Sequence, residues 1–295
     1  MSFVINPYRF GGGAPPAAYI VDDYSPEGAW SLREIASAYV GVDIVKLRRA
    51  SDSVTQDFTA AEITDGTTLS TFASGNDVLV ETMYDQTGGG NDLTQTAQAT
   101  MPKIYDGTTG LITEGGNPAM EFTGSDEQHL LTSATNSWLA GSDFSVFWVG
   151  NHHLPASLRV IWATDASLQS TGQQRAMYNQ ATNQLLLAFS GSNTGTSLST
   201  WTDNVQTLMT TIATGMLTGE SHTVDTWVDG GGNSQWTGTG KLTPNNGKFI
   251  VGRASSTSTA TTEFDGRLQE CIVFASDKSA DRTGIDGNIT THYGI

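Results

Sequence analysis

The C-terminal end of the chain constrains its fold most strongly. Residues 264–274 alternate in a pattern that predicts a β-strand, with Leu268 and Glu270 on the same face as Ile272 and with Gly266 near its start. Residues 277–295 then predict one short amphipathic helix that closes the chain. A strand, a polar turn and a single closing helix are typical of one kind of two-sheet β-sandwich.

The rest of the sequence agrees with short strands joined by many turns. The 295 residues include 33 glycines, and only 15% are charged, against roughly 25% in typical globular domains. Residues 144–149 and 184–189 are apolar on both faces, which predicts strands in the middle of a covered sheet. No fixed repeat is present, so a solenoid or propeller is excluded. We predict an all-β, two-sheet antiparallel jelly-roll sandwich with an extended N-terminal arm and a short C-terminal helix.

Charge and cysteine content exclude several classes of protein. The formal net charge of −16 disfavours binding to nucleic acid or to anionic membranes. The single cysteine, Cys271, cannot form an internal disulfide, and its apolar strand predicts a buried, inert thiol. The sequence contains no run of eighteen apolar residues, so it predicts no membrane-spanning helix. The first ten residues lack the basic and apolar regions of a secretory signal.

The chain divides into an arm and a sandwich. Residues 1–23 contain an Asn-Pro turn and the Gly11-Gly12-Gly13 hinge, yet they are too apolar for a free tail. We expect this arm to dock on another subunit or partner, although packing on its own domain remains an alternative. Residues 24–295 form the sandwich, in which residues 24–110 carry one short helix over residues 25–36. The predicted docking residues are Phe3, Ile5, Pro7, Tyr8, Arg9 and Phe10.

Residues 111–295 suggest a first resemblance. Their strand segments occur in the order expected of a concanavalin A-like lectin/glucanase jelly roll of the laminin-G type. The resemblance implies a β-sandwich. The segments that carry it are residues 122–124, 144–149, 227–230, 249–252 and 264–274.

A second resemblance covers residues 27–110. Ser31-Leu32-Arg33, Tyr84-Asp85-Gln86-Thr87-Gly88 and Asn91-Asp92-Leu93-Thr94-Gln95 are similar to the first part of the catalytic domain of fungal-type arabinofuranosidase B. That domain is itself a concanavalin-like sandwich, so both resemblances imply one fold. The combination also resembles structural proteins of tailed phages, including an opening like residues 6–10 and a closing stretch like residues 276–295.

Catalytic residues are harder to find. A retaining glycosidase needs two carboxyl groups about 5–5.5 Å apart. Glu121, Asp225 and Glu270 are acidic candidates, but none is singled out among 30 acidic residues. The arabinofuranosidase family has an adjacent cysteine pair beside the sugar, whereas this chain has only Cys271. No segment matches the family's nucleophile or acid, so we predict no catalytic residue and no enzymatic activity.

These observations predict a non-enzymatic virion protein, such as a capsid decoration, head spike or tail fibre subunit. It would be made in the host cytoplasm and reside in the virion, with its arm bound to capsid or tail proteins. We expect a homo-oligomer, with a trimer favoured, that displays the sandwich and binds host-surface glycans weakly. The alternatives are a glycoside hydrolase or depolymerase of arabinofuranosidase type and a pure carbohydrate-binding module.

Four residues are weak candidates for glycan binding. Asp85 and Asn91 lie in a polar turn, where capping of that turn is the alternative role. Trp201 and Trp236 lie in polar surroundings that suit stacking on sugars, although packing at the rim of a sandwich is the alternative. His152-His153 have no further ligands at metal-binding distances in the sequence. We therefore predict no metal site and no cofactor, while a structural cation such as calcium stays open.

Overall fold

The computed structural model describes residues 19–135, 138, 143–153, 158–165, 174–179, 184–189, 192–195, 202–215, 221–239, 247–254 and 263–295. Within these ranges the chain is a mostly antiparallel β-structure with few short helices, which confirms the predicted all-β sandwich. The strands are β1 (Gly28–Ser31), β2 (Asp43–Arg49), β3 (Thr55–Thr59), β4 (Val78–Met83), β5 (Leu93–Thr94), β6 (Lys103–Asp106), β7 (Gly110–Leu111), β8 (Thr113–Glu114), β9 (Asn117–Pro118), β10 (Met120–Phe122), β11 (Leu130–Thr132), β12 (Phe144–His152), β13 (Leu158–Asp165), β14 (Gln174–Asn179), β15 (Gln184–Phe189), β16 (Ser192–Gly195), β17 (Thr207–Thr214), β18 (Ser221–Val228), β19 (Ser234–Thr239), β20 (Lys248–Val251) and β21 (Gly266–Phe274). The helices are α1 (Ile20–Tyr24), α2 (Ala60–Asp65), α3 (Thr67–Ala73) and α4 (Arg282–Tyr293).

The strands form two layers. In one layer β21 pairs with β12 on one side and with β1 and β10 on the other, and β17, β18 and β19 follow β12. In the other layer β2 pairs with β3 and β4, and the order continues through β5, β11, β20, β13, β14, β15 and β16. Strand β6 pairs with both β4 and β10 and so joins the layers. The main apolar core lies between them and includes Trp30, Trp148, Trp162 and Phe249.

Strand β21 contains a bulge that changes the predicted alternation of its side chains. Val149 pairs with Glu270 and Gly150 pairs with Leu268, which leaves Gln269 as the extra residue. A bulge shifts the faces of a strand by one residue. Leu268 therefore joins Cys271 in the main core, and the prediction that Leu268 and Glu270 share a face is wrong.

The C-terminal helix covers the outer face of the first layer. Ile285, Ile289 and Tyr293 of α4 pack with Ile272 of β21, and Ile20 of α1 lies in the same apolar cluster with 1% exposure. This confirms the predicted closing helix. It also places Ile20, near the end of the predicted arm, against the outer face of the sandwich.

The predicted helix over residues 25–36 is wrong. Gly28–Ser31 is instead strand β1, which pairs with β21. Leu32 and Ile35, whose spacing suggested a helix, belong to different apolar clusters. The segment therefore buries side chains on two opposite faces. An extended chain can do this because its successive side chains point to opposite sides, whereas residues at helical spacing share one face.

Helices α2 and α3 were not predicted, although α2 carries a recognisable start signal. The Thr59 hydroxyl accepts the Glu62 N–H, and the Glu62 carboxylate accepts the Thr59 N–H in return. This capping box is worth about 1 kcal/mol to a helix start. Over the described ranges, no helix is long and apolar enough to span a bilayer.

Candidate functional site

The polar turn after β4 is organised by one carboxylate. Asp85 is 1% exposed, and its Oδ1 accepts the N–H groups of Ala29 and Thr87, both at 3.1 Å. Its Oδ2 accepts the Thr87 hydroxyl at 2.7 Å and the Asn91 N–H at 3.2 Å. Four accepted hydrogen bonds match the acceptor capacity of a carboxylate. The structure thus places Asp85, a glycan-binding candidate, as an anchor that ties the turn to β1.

The next residue anchors a second segment. Gln86 is also 1% exposed; its Nε2 donates to the carbonyl oxygens of Ser31 and Arg33, and its Oε1 accepts the Ile35 N–H. The chain leaves β1 after Ser31, and the amide of Gln86 satisfies backbone groups of Ser31, Arg33 and Ile35 along this exit. Residues 84–92 therefore fix residues 29–35 as well as their own loop.

An acidic pocket of about 350 Å³ opens beside this turn. Besides Asp85, three aspartates line it from different elements, because β2 lies between β3 and β4 in the sheet. Asp43 begins β2, Asp57 lies in β3, and Asp92 follows the turn after β4. The remaining lining residues are Tyr39, Val42, Tyr84, Asp85, Gly88 and Gly90.

The three carboxyl groups have different environments. Asp43 is exposed at the start of β2, and partial burial together with the charges of Asp57 and Glu62 raises its pKa. Burial raises the pKa of Asp92, and the charge of Asp85 adds to this effect. Asp92 Oδ1 accepts the Asp85 N–H at 2.8 Å, which opposes the shift. The pocket therefore holds carboxyl groups that keep their protons to higher pH than an isolated aspartate does.

Two tyrosines fix the geometry of the pocket. Tyr84 donates its hydroxyl hydrogen to Asp57 Oδ1 at 2.6 Å, and burial followed by this bond raises the Tyr84 pKa. Tyr39 donates to the Asp85 carbonyl oxygen at 2.8 Å, and burial raises its pKa as well. Both phenols stay protonated near neutral pH. Asp57 is thereby held in one orientation towards the pocket.

The other predicted glycan-binding residues lie elsewhere. The Asn91 carbonyl accepts the Trp30 indole N–H at 3.0 Å, and its side chain donates to the Glu27 carbonyl. Trp236 is half-buried at the rim of the main core, with its ring 4.9 Å from that of His222. Trp201 and the predicted docking residues Phe3, Ile5, Pro7, Tyr8, Arg9 and Phe10 lie outside the described residues.

The three acidic residues named from the sequence lie apart from this pocket. Glu121 accepts hydrogen bonds from Arg267. Asp225 Oδ1 accepts hydrogen bonds from the side-chain amides of Asn233 and Gln235 at a half-buried position of β18. Glu270 is fully buried beneath α4, where it pairs with Arg33. Each of these carboxylates is thus bound by side chains of the protein itself.

Metal and thiol chemistry are not indicated here. Among the described residues, no group of three or more His, Cys, Asp or Glu side chains could hold a metal ion. Cys271 is buried, and burial raises its pKa well above the ordinary thiol value. A thiol that stays protonated is a poor nucleophile, so Cys271 has a packing role.

Comparison with known proteins associates the pocket with a family of enzymes. Residues 25–122 match the family model of the alpha-L-arabinofuranosidase B catalytic domain. The match includes every residue that lines the acidic pocket. It agrees with the second of the two resemblances found in the sequence. A search of curated proteins gave no match to the chain.

Solved arabinofuranosidases share the fold over most of the chain. A GH54 α-L-arabinofuranosidase soaked with 4-nitrophenyl α-L-arabinofuranoside aligns with a TM-score of 0.64 and 13% identity over 90% of this chain. An arabinofuranosidase complexed with arabinofuranosyl-α-1,2-xylobiose aligns with a TM-score of 0.58 and 14% identity over 89% of it. This chain spans 62% and 61% of the lengths of those two chains.

These matches correct the function expected from the sequence. A non-enzymatic virion protein was predicted because no catalytic segment could be recognised, but the family match is to a catalytic domain and the fold matches are to arabinofuranosidases. The predictions of a phage structural role and of no enzymatic activity are therefore wrong. The resemblance to phage proteins rested on short terminal segments, which weigh less than a match over 98 consecutive residues.

The sequence analysis missed the pocket itself. Neither Asp43 nor Asp57 was proposed as a site residue, and Asp92 was quoted only within the Asn91–Gln95 segment. The available signal was that Asp43 directly precedes an alternating apolar segment and that Asp92 directly follows the glycine-rich turn. Without the order of strands in the sheet, that signal does not show that the three meet.

Proposed function

We propose that this chain is a glycoside hydrolase that removes arabinofuranosyl residues from glycans, and that it acts at the acidic pocket. The observation that carries the proposal is a pocket lined by aspartates that lies wholly within residues 25–122, the segment similar to an arabinofuranosidase catalytic domain. Likeness of fold with the solved arabinofuranosidases supports the same reaction class.

The carboxyl pair gives each partner a role. Glycoside hydrolysis needs one protonated carboxyl group that gives its proton to the leaving oxygen, and one carboxylate on the anomeric carbon. Asp43 fits the acid, because its pKa is raised by burial and by the negative charge of Asp57. Asp57 fits the carboxylate, since the hydroxyl of Tyr84 donates to it.

The reaction follows from these roles. Asp43 transfers its proton to the glycosidic oxygen as the bond to the anomeric carbon breaks and its electron pair stays on that oxygen. Asp57, directly or through a water molecule, supplies the oxygen nucleophile at the anomeric carbon. Water provides the new hydroxyl group, and its second proton restores Asp43. Asp92, at the wall of the pocket, accepts hydrogen bonds from sugar hydroxyl groups.

Hydrolysis of 4-nitrophenyl α-L-arabinofuranoside tests the proposal. D43N and D57N should each lower kcat/KM about 100-fold or more, which is the usual contribution of general acid or base catalysis. D126N is the matched control, because Asp126 is an exposed aspartate outside the pocket, and it should keep the wild-type rate. Each variant is checked for an unchanged circular dichroism spectrum.

Two results would contradict this function. Absence of nitrophenol release by the wild-type chain rules out the hydrolase, as does full activity of both D43N and D57N. If arabinofuranosides bind at the pocket without turnover, and D43N or D92N abolishes that binding, the pocket belongs to a carbohydrate-binding module. Tyr39 and Tyr84 in the lining favour this second candidate, because tyrosines combine a stacking face with a hydrogen-bonding hydroxyl group.

A further inference from the structure

A second and larger cavity lies on the helical side of the sandwich. It has a volume of about 710 Å³, within the range of small-molecule sites. Its walls come from the segment after β1, from α2, from the β9 hairpin and from the last turn of α4. It shares no lining residue with the acidic pocket.

A fixed guanidinium group forms part of the cavity wall. Arg33 Nε and Nη2 donate to the two oxygens of Glu270 at 2.7 and 3.1 Å, and Nη2 also donates to Asn288 Oδ1 at 2.9 Å. Glu270, with no exposure, also accepts hydrogen bonds from the hydroxyl groups of Ser31 and Tyr293. Such a bidentate pair leaves Arg33 little freedom. A donor held this rigidly loses little entropy when a ligand binds.

One nitrogen of Arg33 is available to a ligand. Among the described residues, Nε and Nη2 have acceptors as given above, and no described residue accepts from Nη1. The Arg33 side chain is 15% exposed and lines the cavity. Nη1 therefore offers two N–H donors, and the nearby Glu34 carboxylate and Thr291 hydroxyl offer acceptors.

The charge and the apolar surface of the cavity narrow the class of ligand. The positive charge of Arg33 is offset by Glu270, and Glu34 adds a negative charge. Burial and the charge of Arg33 lower the pKa of His292, so that imidazole is neutral near pH 7. An anion therefore gains no net attraction. Ala60, Ala61 and Pro118 supply apolar surface opposite the polar groups.

We propose that this cavity is a second carbohydrate site, which binds an uncharged saccharide. A sugar ring presents hydroxyl groups at its edge, which match the polar side of the cavity formed by Arg33, Glu34 and Thr291. The C–H groups on the face of the ring match the side formed by the alanines and the proline. Gln86 connects the two sites: it holds the backbone of Arg33 while the adjacent Asp85 belongs to the acidic pocket. The second site is independent of hydrolysis, because no reacting group of the first pocket contributes to it.

The test follows the His292 ring signal by NMR in the full chain. Arabinotriose, xylotriose and maltotriose are titrated to about 10 mM, in the range of weak single-sugar sites. The signal is assigned by its loss in H292Q. At least one neutral trisaccharide should shift it in a saturable way, and trigalacturonate should bind about tenfold more weakly or not at all.

Matched variants locate the binding. Ala61 is exposed at the cavity, so A61W should fill it and weaken binding about tenfold or more while aryl arabinofuranoside hydrolysis continues. Ala99 is an exposed alanine outside both pockets, so A99W should change neither property. D43N should abolish hydrolysis and leave the His292 shift intact.

Three outcomes would overturn the second site. They are no shift with any neutral trisaccharide, a shift that survives A61W, or equal binding of trigalacturonate. None of them bears on the acidic pocket, because nitrophenol release is measured separately in the same variants. If the wild-type chain did not hydrolyse the aryl arabinofuranoside, but the His292 shift were present and disappeared in A61W, the proposed hydrolase would be rejected and the second carbohydrate site would stand.

Discussion

The side-chain amide of Gln86 donates a hydrogen bond of 2.8 Å to the carbonyl oxygen of Arg33, 53 residues earlier in the chain. Arg33 in turn forms an ion pair with the buried Glu270 of β21. The turn after β4, the exit of β1 and the closing strand are thus joined in one polar network. Buried networks of this kind stabilise a fold only when every member is satisfied.

Loss of the buried carboxylate should destabilise the protein. E270Q removes the charge that compensates Arg33, and breaking a buried pair from one side costs about 3 kcal/mol. Urea unfolding followed by tryptophan fluorescence measures this change. E34Q makes the same chemical change in the neighbouring, partly exposed Glu34 and should cost under about 1 kcal/mol. Equal effects of the two variants would contradict a special role for Glu270.

The anchoring role of Asp85 predicts a stability effect without any ligand. In D85N one acceptor oxygen is replaced by an amide group that donates, so two of the four accepted hydrogen bonds are lost, at about 3 kcal/mol. The free energy of unfolding in urea, measured without sugar, tests this. D126N serves as the surface control. If D85N were as stable as D126N and only weakened sugar binding, Asp85 would be a ligand-binding residue.

The charge of Glu62 should influence the pH dependence of hydrolysis. Glu62 and Asp57 both raise the pKa of Asp43, so E62Q should lower that pKa. The acid form of Asp43 is then lost at lower pH, and the alkaline limb of kcat/KM should move to lower pH. Glutamine keeps the capping box of α2. An unmoved limb would show that Asp43 is not the acid, and the ¹³C signal of its carboxyl group gives an independent titration.

Buried His152 should make the fold sensitive to acid. It has no exposure, and burial lowers its pKa to about 4 despite the nearby Asp203. The unfolded chain takes up this proton near the ordinary value of about 6.5, so stability falls as the pH drops from there to about 4. H152Q should reduce that loss, which amounts to about 3 kcal/mol. Unfolding in urea at pH 7 and at pH 4 compares the two chains, and equal pH slopes would contradict the prediction.

The bulge in β21 requires glycine at position 150 of the opposite strand, β12. A Cβ atom there would lie 2.0 Å from the Arg267 carbonyl oxygen and 2.7 Å from the Trp148 ring. G150A should therefore cost about 2–3 kcal/mol through overpacking. G232A is the control, because a Cβ at Gly232 meets nothing within 4 Å. Thermal unfolding by circular dichroism distinguishes them, and similar melting temperatures would mean that the strands move apart easily.

Local patterns predicted the regular elements well. Period-two alternation indicated β21, a continuous apolar run indicated β12, and the spacing of apolar residues after residue 277 indicated α4. A helical spacing failed at residues 25–36, because Leu32 and Ile35 pack into two different apolar clusters along an extended segment. It failed again at Gln269, since a bulge depends on the partner strand.

The acidic pocket shows why site prediction stopped where it did. Asp85 and Asn91 were noticed because they lie in one glycine-rich turn, and that turn does border the pocket. The carboxyl pair proposed for catalysis, Asp43 and Asp57, lies on two different strands. The pKa of Asp43 is raised by partial burial and by the charge of Asp57, and these effects exist only after those strands pair.

By itself, the sequence determined the class of the fold, its strand-rich layers and its closing helix, because side-chain periodicity and turn residues act over short distances. It also contained the similarity to an arabinofuranosidase catalytic domain within residues 25–122. Only the tertiary structure decided which carboxyl groups share a pocket and where β21 bulges. It also decided that Gln86 donates a hydrogen bond to the backbone of Arg33, whose side chain pairs with Glu270. These features depend on strand order and on removal of charges from water, and both arise when distant segments pack together.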